Sequence, residues 1–250
     1  MALEQNILKT LTYFDILEHP LTLPELQRYL LKTEDEIAKP SFSELQQSLV
    51  GLENAGKVNS SDGFYFLAGR SGLVNKRLVS YNYYFKRLFR AHKLIRFLKY
   101  VPYLRAIILS GSLAGMHTGP QSDIDFVIIV KPGRIWLARL FLTGWTQALG
   151  VRRYSNKITN RVCLSHYVAA DKSFEVKYRP LDYANMLPLL NAPLASELLQ
   201  RETWLSDQLV SHPEMPLSVV SQKPSRIIQP LFEIISEVLG AAVWNKVAEI

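Results

Sequence analysis

Two aspartates, Asp123 and Asp125, flank Ile124 at the head of an apolar run that extends to Val130. On a strand, successive side chains point to opposite faces, so the two carboxylates share one face and Ile124 and Phe126 take the other. Two carboxylates aimed the same way repel unless a cation lies between them. An all-oxygen pair suits a hard divalent ion, Mg²⁺ or Mn²⁺, held together with substrate phosphates. Upstream, a second apolar run at 106–109 leads into Ser110, Gly111 and Ser112. A Gly-Ser turn before a helix start presents backbone N–H groups, a natural seat for phosphate. Either feature alone is commonplace, but both in this order, each at the edge of a β-like run, describe a metal–nucleotide site. Asp123 and Asp125 are then the metal-binding carboxylates. Gly111 and Ser112 seat the nucleotide phosphates, and Ser122 adjoins the pair. Arg152, Arg153, Lys157 and Arg161 follow within ten residues, and of these Lys157 and Arg161 are assigned to the nucleotide phosphates.

The charge around these residues is uneven. Residues 1–70 hold 6 Lys/Arg against 10 Asp/Glu, whereas residues 71–170 hold 16 Lys/Arg and only two acids, Asp123 and Asp125. A lone acidic pair in a basic field is what binding a polyanion through a metal requires. The single cysteine, Cys163, lies in an apolar run, which excludes a disulfide framework and a cysteine-based zinc site. With no basic-then-apolar signal pattern at the N-terminus and no apolar stretch of spanning length, the expectation is a soluble cytoplasmic protein without membrane contact.

The elements that must position the site follow from periodicity. Apolar spacing predicts a helix over 2–19, ended by His19-Pro20, and Thr22 or Leu23 with Pro24 opens a second. Ser41 and Glu44 are placed as a capping box for a third helix, closed by Gly56. Asp62-Gly63 between β-prone flanks reads as a hairpin. Residues 73–99 read as a basic amphipathic helix, with Val74, Leu78, Tyr81, Phe85, Leu88, His92 and Ile95 on its apolar stripe and Lys76, Lys86, Arg87, Arg90 and Lys93 opposite. Strands are expected at 105–109, 124–130 and 162–168, with a helix from Ile135 to a stop at Gly150. Further helices at 194–210 and 226–248 are joined by a Pro- and Ser-rich connector and could wall a substrate site or form a dimer interface.

At Gly111-Ser112 and Asp123-Ile124-Asp125, over about residues 105–190, the chain resembles the polymerase-beta-like nucleotidyltransferase superfamily, and its wording is especially close to the minimal bacterial nucleotidyltransferases. Three helices and a hairpin at 1–70 resemble a winged-helix domain. The fold class expected is α+β: a winged-helix-like domain at 1–70, a joining basic helix at 71–104, a nucleotidyltransferase core at 105–192 and a helical region at 193–250. The resemblance implies transfer of an NMP from a Mg²⁺–NTP, ATP by default, to an unidentified acceptor, with Asp123 and Asp125 as the catalytic carboxylates. It also implies a third carboxylate on a later strand, expected at 165 or 166, where this chain has Ser165 and His166. Asp171, Glu175 and Asp182 are the remaining candidates. Two other readings stand beside it: a catalytically impaired nucleotide-binding or scaffold protein, and a nucleic-acid-binding protein that uses the basic middle region. The third helix has no Lys or Arg between Ser41 and Gly56, which argues against duplex DNA as its partner and leaves a protein partner open.

Overall fold

The computed structural model describes residues 2–33, 38–174, 179–202, 207–210 and 221–248, an α+β chain with two sheets. The N-terminal unit holds α1 (Ala2–Ile16), β1 (Leu21–Thr22), α2 (Leu23–Arg28), α3 (Phe42–Asn54), β2 (Val58–Ser61) and β3 (Phe64–Leu67). Helix α1 stops three residues before the predicted end, because the N–H groups of Leu17 and His19 both turn back to the Phe14 carbonyl and Glu18 adopts a left-handed φ of 52°. The expected box on α3 is present: the Ser41 hydroxyl accepts from Glu44 N–H at 3.2 Å and the Glu44 carboxylate from Ser41 N–H at 2.7 Å. Glu25 does the same for Thr22 at α2, a box not read from the sequence. At the hairpin tip Asp62 and Gly63 both take positive φ (54° and 78°), the geometry of a primed turn. Strand β1 adds to the hairpin, giving the antiparallel order β1-β3-β2.

Helix α4 (Gly72–Leu98) joins this unit to the second sheet, and here the predicted stripe is corrected. Val74, Leu88 and Ile95 do face inward, but Leu78 and Phe85 are 47% and 63% exposed. The column beside them runs instead through Arg77, Ala91 and Leu98, which are buried, and Tyr84, which is half-buried. Arg77 was placed on neither face by the sequence reading, and burying an unpaired charge is costly. Here the Arg77 guanidinium is ion-paired with Glu25 and donates to His19 Nδ1 at 2.7 Å, which removes that objection.

The second sheet comprises β4 (Leu104–Ser110), β5 (Ile124–Val130), β6 (Val162–Ala169) and β7 (Leu187–Leu190), in the order β6-β5-β4-β7. The β5–β6 pair is parallel and the others antiparallel. Helix α5 (Gly111–Ala114) follows β4, α6 (Ile135–Ala148) links β5 to β6, α7 (Pro180–Ala184) precedes β7, and α8 (Ala192–Gln200) and α9 (Ile228–Ala248) complete the chain. Helix α8 is shorter than the predicted 194–210. Ile107, Leu109, Ile124, Phe126 and Ile128 pack against α4 and α6. The opposite face, with Ala106, Ile108, Val127 and Ile129, shares one continuous core with Ile7, Leu11, Phe14 and Leu26 of the N-terminal unit. No helix among the described residues is long and apolar enough to cross a membrane.

The seam carries a pH-dependent term. Arginine cannot accept, so the contact with Arg77 leaves His19 Nδ1 unprotonated and the ring neutral. Burial, then Arg77 and His117, hold its pKa well below 6.5. As pH falls through about 6.5, the unfolded chain takes up a proton that the folded one refuses, so this contribution to stability is present above that pH and lost below it. Between pH 7.5 and 5.5, His19→Gln is expected to lose about 1 kcal/mol less stability than the wild type in urea unfolding, the worth of one proton over about one pH unit. An equal loss in both proteins would refute the assignment.

Candidate metal and nucleotide site

Antiparallel register sets Ser110, the last residue of β4, opposite Asp125, the second residue of β5. Immediately after Ser110 the backbone turns at Gly111, whose φ of +67° is in the left-handed region that side chains disfavour. A Cβ at Gly111 would also collide with the Asp125 carboxylate. The glycine therefore serves two ends: it turns the chain into α5, and it lets the turn lie directly against the acidic pair. Ser112, half-buried, is the second residue of that helical turn, whose first N–H groups have no intrahelical partners. Gly111→Ala should lower the unfolding free energy by roughly 1–3 kcal/mol, from backbone strain and the displaced carboxylate, and remove any nucleotide-induced stabilisation. A variant with unaltered midpoint and ligand response would contradict the close approach.

The connector from Gly115 to Ser122 is held by an arginine that the sequence had put on the solvent face. Arg87, buried on α4, donates to Thr118 Oγ1, the Pro120 carbonyl and Asn160 Oδ1, each at 2.8 Å. Asn160 N–H in turn donates to the Ser122 carbonyl at 3.0 Å, and Ile124 N–H to the Arg161 carbonyl at 2.8 Å. One buried cation thus ties together the two loops that flank Asp123. The Ser122 hydroxyl accepts from Gly119 N–H at 2.9 Å, closing the turn before the aspartates. Lys157 is exposed and rests over the Tyr154 ring at 5.4 Å, and Arg161 is half-buried.

Asp123 lies just before β5, and its Oδ2 accepts from Arg153 Nη1 at 2.6 Å. Asp125 is pushed up to about 6, first by burial and then by the negative charge of Asp123. The third member is not where sequence reasoning expected it. In the parallel pairing, Asp125 faces Cys163 and Val127 faces His166, so β6 carries one residue more than β5 over this interval. The residue beside the aspartates is therefore Cys163, not 165 or 166. One ligand atom each from Asp123, Asp125 and Cys163 lie within 4.8 Å of one another, and no other group joins this cluster among the described residues. Asp171 is exposed beyond β6, and Asp182 is bound by both its oxygens to Arg179 at 2.7 and 3.0 Å. Glu175 lies outside the described residues.

These residues fit a divalent cation. Two carboxylates and a thiol converge, a guanidinium already stands in as the counter-charge, and Gly111 keeps the space beside Asp125 clear. Cys163 and Arg87 were missed from sequence, and Arg153, named among the loop cations, was not paired there with Asp123. Cys163 and Asp125 are each the second residue of adjacent parallel strands, a signal that aligning the strand starts would have given. No family model matches the chain, and no curated protein or solved structure matches it.

Proposed function

We propose that the protein is a nucleotidyltransferase related to the polymerase-beta-like superfamily, with a winged-helix-like N-terminal module, moving an NMP from a metal–NTP to an acceptor hydroxyl. The observation that carries this reading is the contact between the Gly111 turn and Asp125: a phosphate seat and a metal-ligating carboxylate pair with no side chain between them. Asp123 and Asp125 would hold Mg²⁺ or Mn²⁺, with Cys163 beside them. Bound there, the cation supplies charge neutralisation for the phosphates of an in-line displacement. The Gly111 and Ser112 backbone receives the terminal phosphates, and Ser122, Lys157 and Arg161 complete the nucleotide side, with ATP as the default substrate. The acceptor oxygen bonds to the α-phosphorus, the bridge to the β-phosphate breaks with its electron pair on pyrophosphate, and the hydroxyl proton passes to solvent.

A second reading, a nucleotide-binding protein with impaired catalysis, draws on the thiol at the place of a third carboxylate. Helix α3 carries no cation and exposes Glu44, so the N-terminal module is assigned to a protein partner and not to duplex DNA. Incubation with α-labelled ATP and Mg²⁺ separates the readings. Transfer predicts label on an acceptor with one pyrophosphate released per event, and mere binding predicts retention of unaltered nucleotide. Absence of both binding and turnover would refute the two together.

A further inference from the structure

On the β6 side of the aspartates, next to the loop that carries Lys157, lies a group of arginines that the nucleotide reading leaves unassigned. A cleft of about 340 Å³, with Cys163 on its wall, is lined by Arg139, Arg152 and Arg153 and by three hydroxyl-bearing residues, Thr143, Tyr154 and Ser155. Among the described residues it is lined by no carboxylate. Arg139 lies over the Trp136 and Tyr167 rings at 5.8 and 5.7 Å, and neither it nor Arg152 has an acidic partner among the described residues. Arg153 is paired with Asp123, a group that a bound cation would claim in its place. Three guanidiniums around one cleft repel each other until an anion enters, and guanidinium forks with hydroxyl donors match the oxygens of a phosphate monoester.

The sheet order sets the cleft and the Gly111 turn on opposite sides of Asp125. Gly111 and Ser112 stand at the β4 side of Asp125, and the cleft at the β6 side. In an in-line displacement the entering oxygen and the departing pyrophosphate lie on opposite sides of the α-phosphorus. With pyrophosphate at Gly111-Ser112, the acceptor enters from β6. We infer that the acceptor is a small molecule bearing both a hydroxyl group and a phosphate monoester, the phosphate being held by Arg139, Arg152 and Arg153. This rests on the nucleotidyl-transfer reading. The cleft volume suits a small ligand and favours such an acceptor over a nucleic-acid strand.

Calorimetric titration of ribose 5-phosphate, with ribose as control, into the full chain saturated with Mg²⁺–α,β-methylene-ATP tests the inference. Ribose 5-phosphate is expected to bind and ribose not. Arg152→Gln should weaken it about tenfold or more, the worth of one charge-assisted contact, with partial recovery in Arg152→Lys and unchanged Mg²⁺–nucleotide affinity. Undetectable phosphate binding, or binding indifferent to Arg152→Gln, overturns the inference. So does tighter, Arg152-dependent binding of a single-stranded oligonucleotide of about 12 nucleotides with a steep salt dependence. Failure of the wild type to bind the nucleotide, while Arg152-dependent phosphate binding persists in the free protein, refutes the transfer reading and the acceptor role with it and leaves an anion site.

Discussion

Asp125→Asn abolishes stabilisation of the protein by Mg²⁺–ATP and at the same time raises the unfolding midpoint of the ligand-free form. The two effects have one cause. Asp125 is held at about 6 by burial and by Asp123, so at neutral pH the folded state carries a charge it would favour losing. For a carboxylate the sign is clear: a folded-state pKa above the unfolded value means that the cost is fully present above about pH 6 and is relieved as pH falls toward 3.8. Asparagine removes that charge, and the expected gain is on the order of 1–2 kcal/mol once the lost acceptor oxygen is allowed for. The same change takes away half of the carboxylate pair. A ligand at about a hundred times its dissociation constant contributes ~2.7 kcal/mol to the wild type, and the variant should forfeit it. Asp123→Asn should also lose the ligand response but gain less on its own, because it strands Arg153, now paired at 2.6 Å. Thermal unfolding at pH 7.5, with and without Mg²⁺–ATP, reads both. Variants that keep the full ligand-induced shift would show that these aspartates are not the metal ligands.

The sequence carried those features that depend on neighbours along the chain. Alternation around Ile124 sets the two aspartates on one face, Ser41 and Glu44 cap α3, and Asp62-Gly63 makes the hairpin turn. What it did not carry were relations across the fold. Strand β1 has two residues and β7 four, too short for a period to register. The buried column of α4 was misread because the partners that make Arg77 tolerable, Glu25 and His19, lie more than fifty residues away. Arg87 was likewise set facing solvent, since nothing nearby indicated that Thr118, Pro120 and Asn160 would gather round it. The third position of the site depends on parallel register and on one extra residue in β6 between Cys163 and His166. Counting from the apolar run alone gave 165 or 166, and the pairing gives 163.

That register yields the second large effect. Cys163→Asp should raise nucleotidyl transfer by about 10²-fold, the lower end of what a positioned general base contributes. An aspartate there stands opposite Asp125 in the pairing, at a position from which a side-chain ligand atom already lies within 4.8 Å of both acidic groups. The thiol in its place is a poor ligand for a hard cation, which prefers oxygen. Three carboxylates with Arg153 as their one paired cation should also repel, so the ligand-free variant is expected to unfold earlier than the wild type and to recover with Mg²⁺. Initial rates with α-labelled ATP decide the matter. No gain in the variant, beside a wild type that already turns over at about 1 per second or faster, would mean that another residue serves as base.

Nucleotidyl transfer at this site requires that Asp123 and Asp125 bind a nucleotide-associated divalent cation beside the Gly111 turn. Electron paramagnetic resonance titration of Mn²⁺ in the presence of α,β-methylene-ATP counts such ions without calling on catalysis. The wild type should remove Mn²⁺ from the free-ion signal in a nucleotide-dependent manner, and Asp125→Asn should leave that signal equal to a protein-free control. Equal Mn²⁺ uptake by the wild type and Asp125→Asn would contradict the claim.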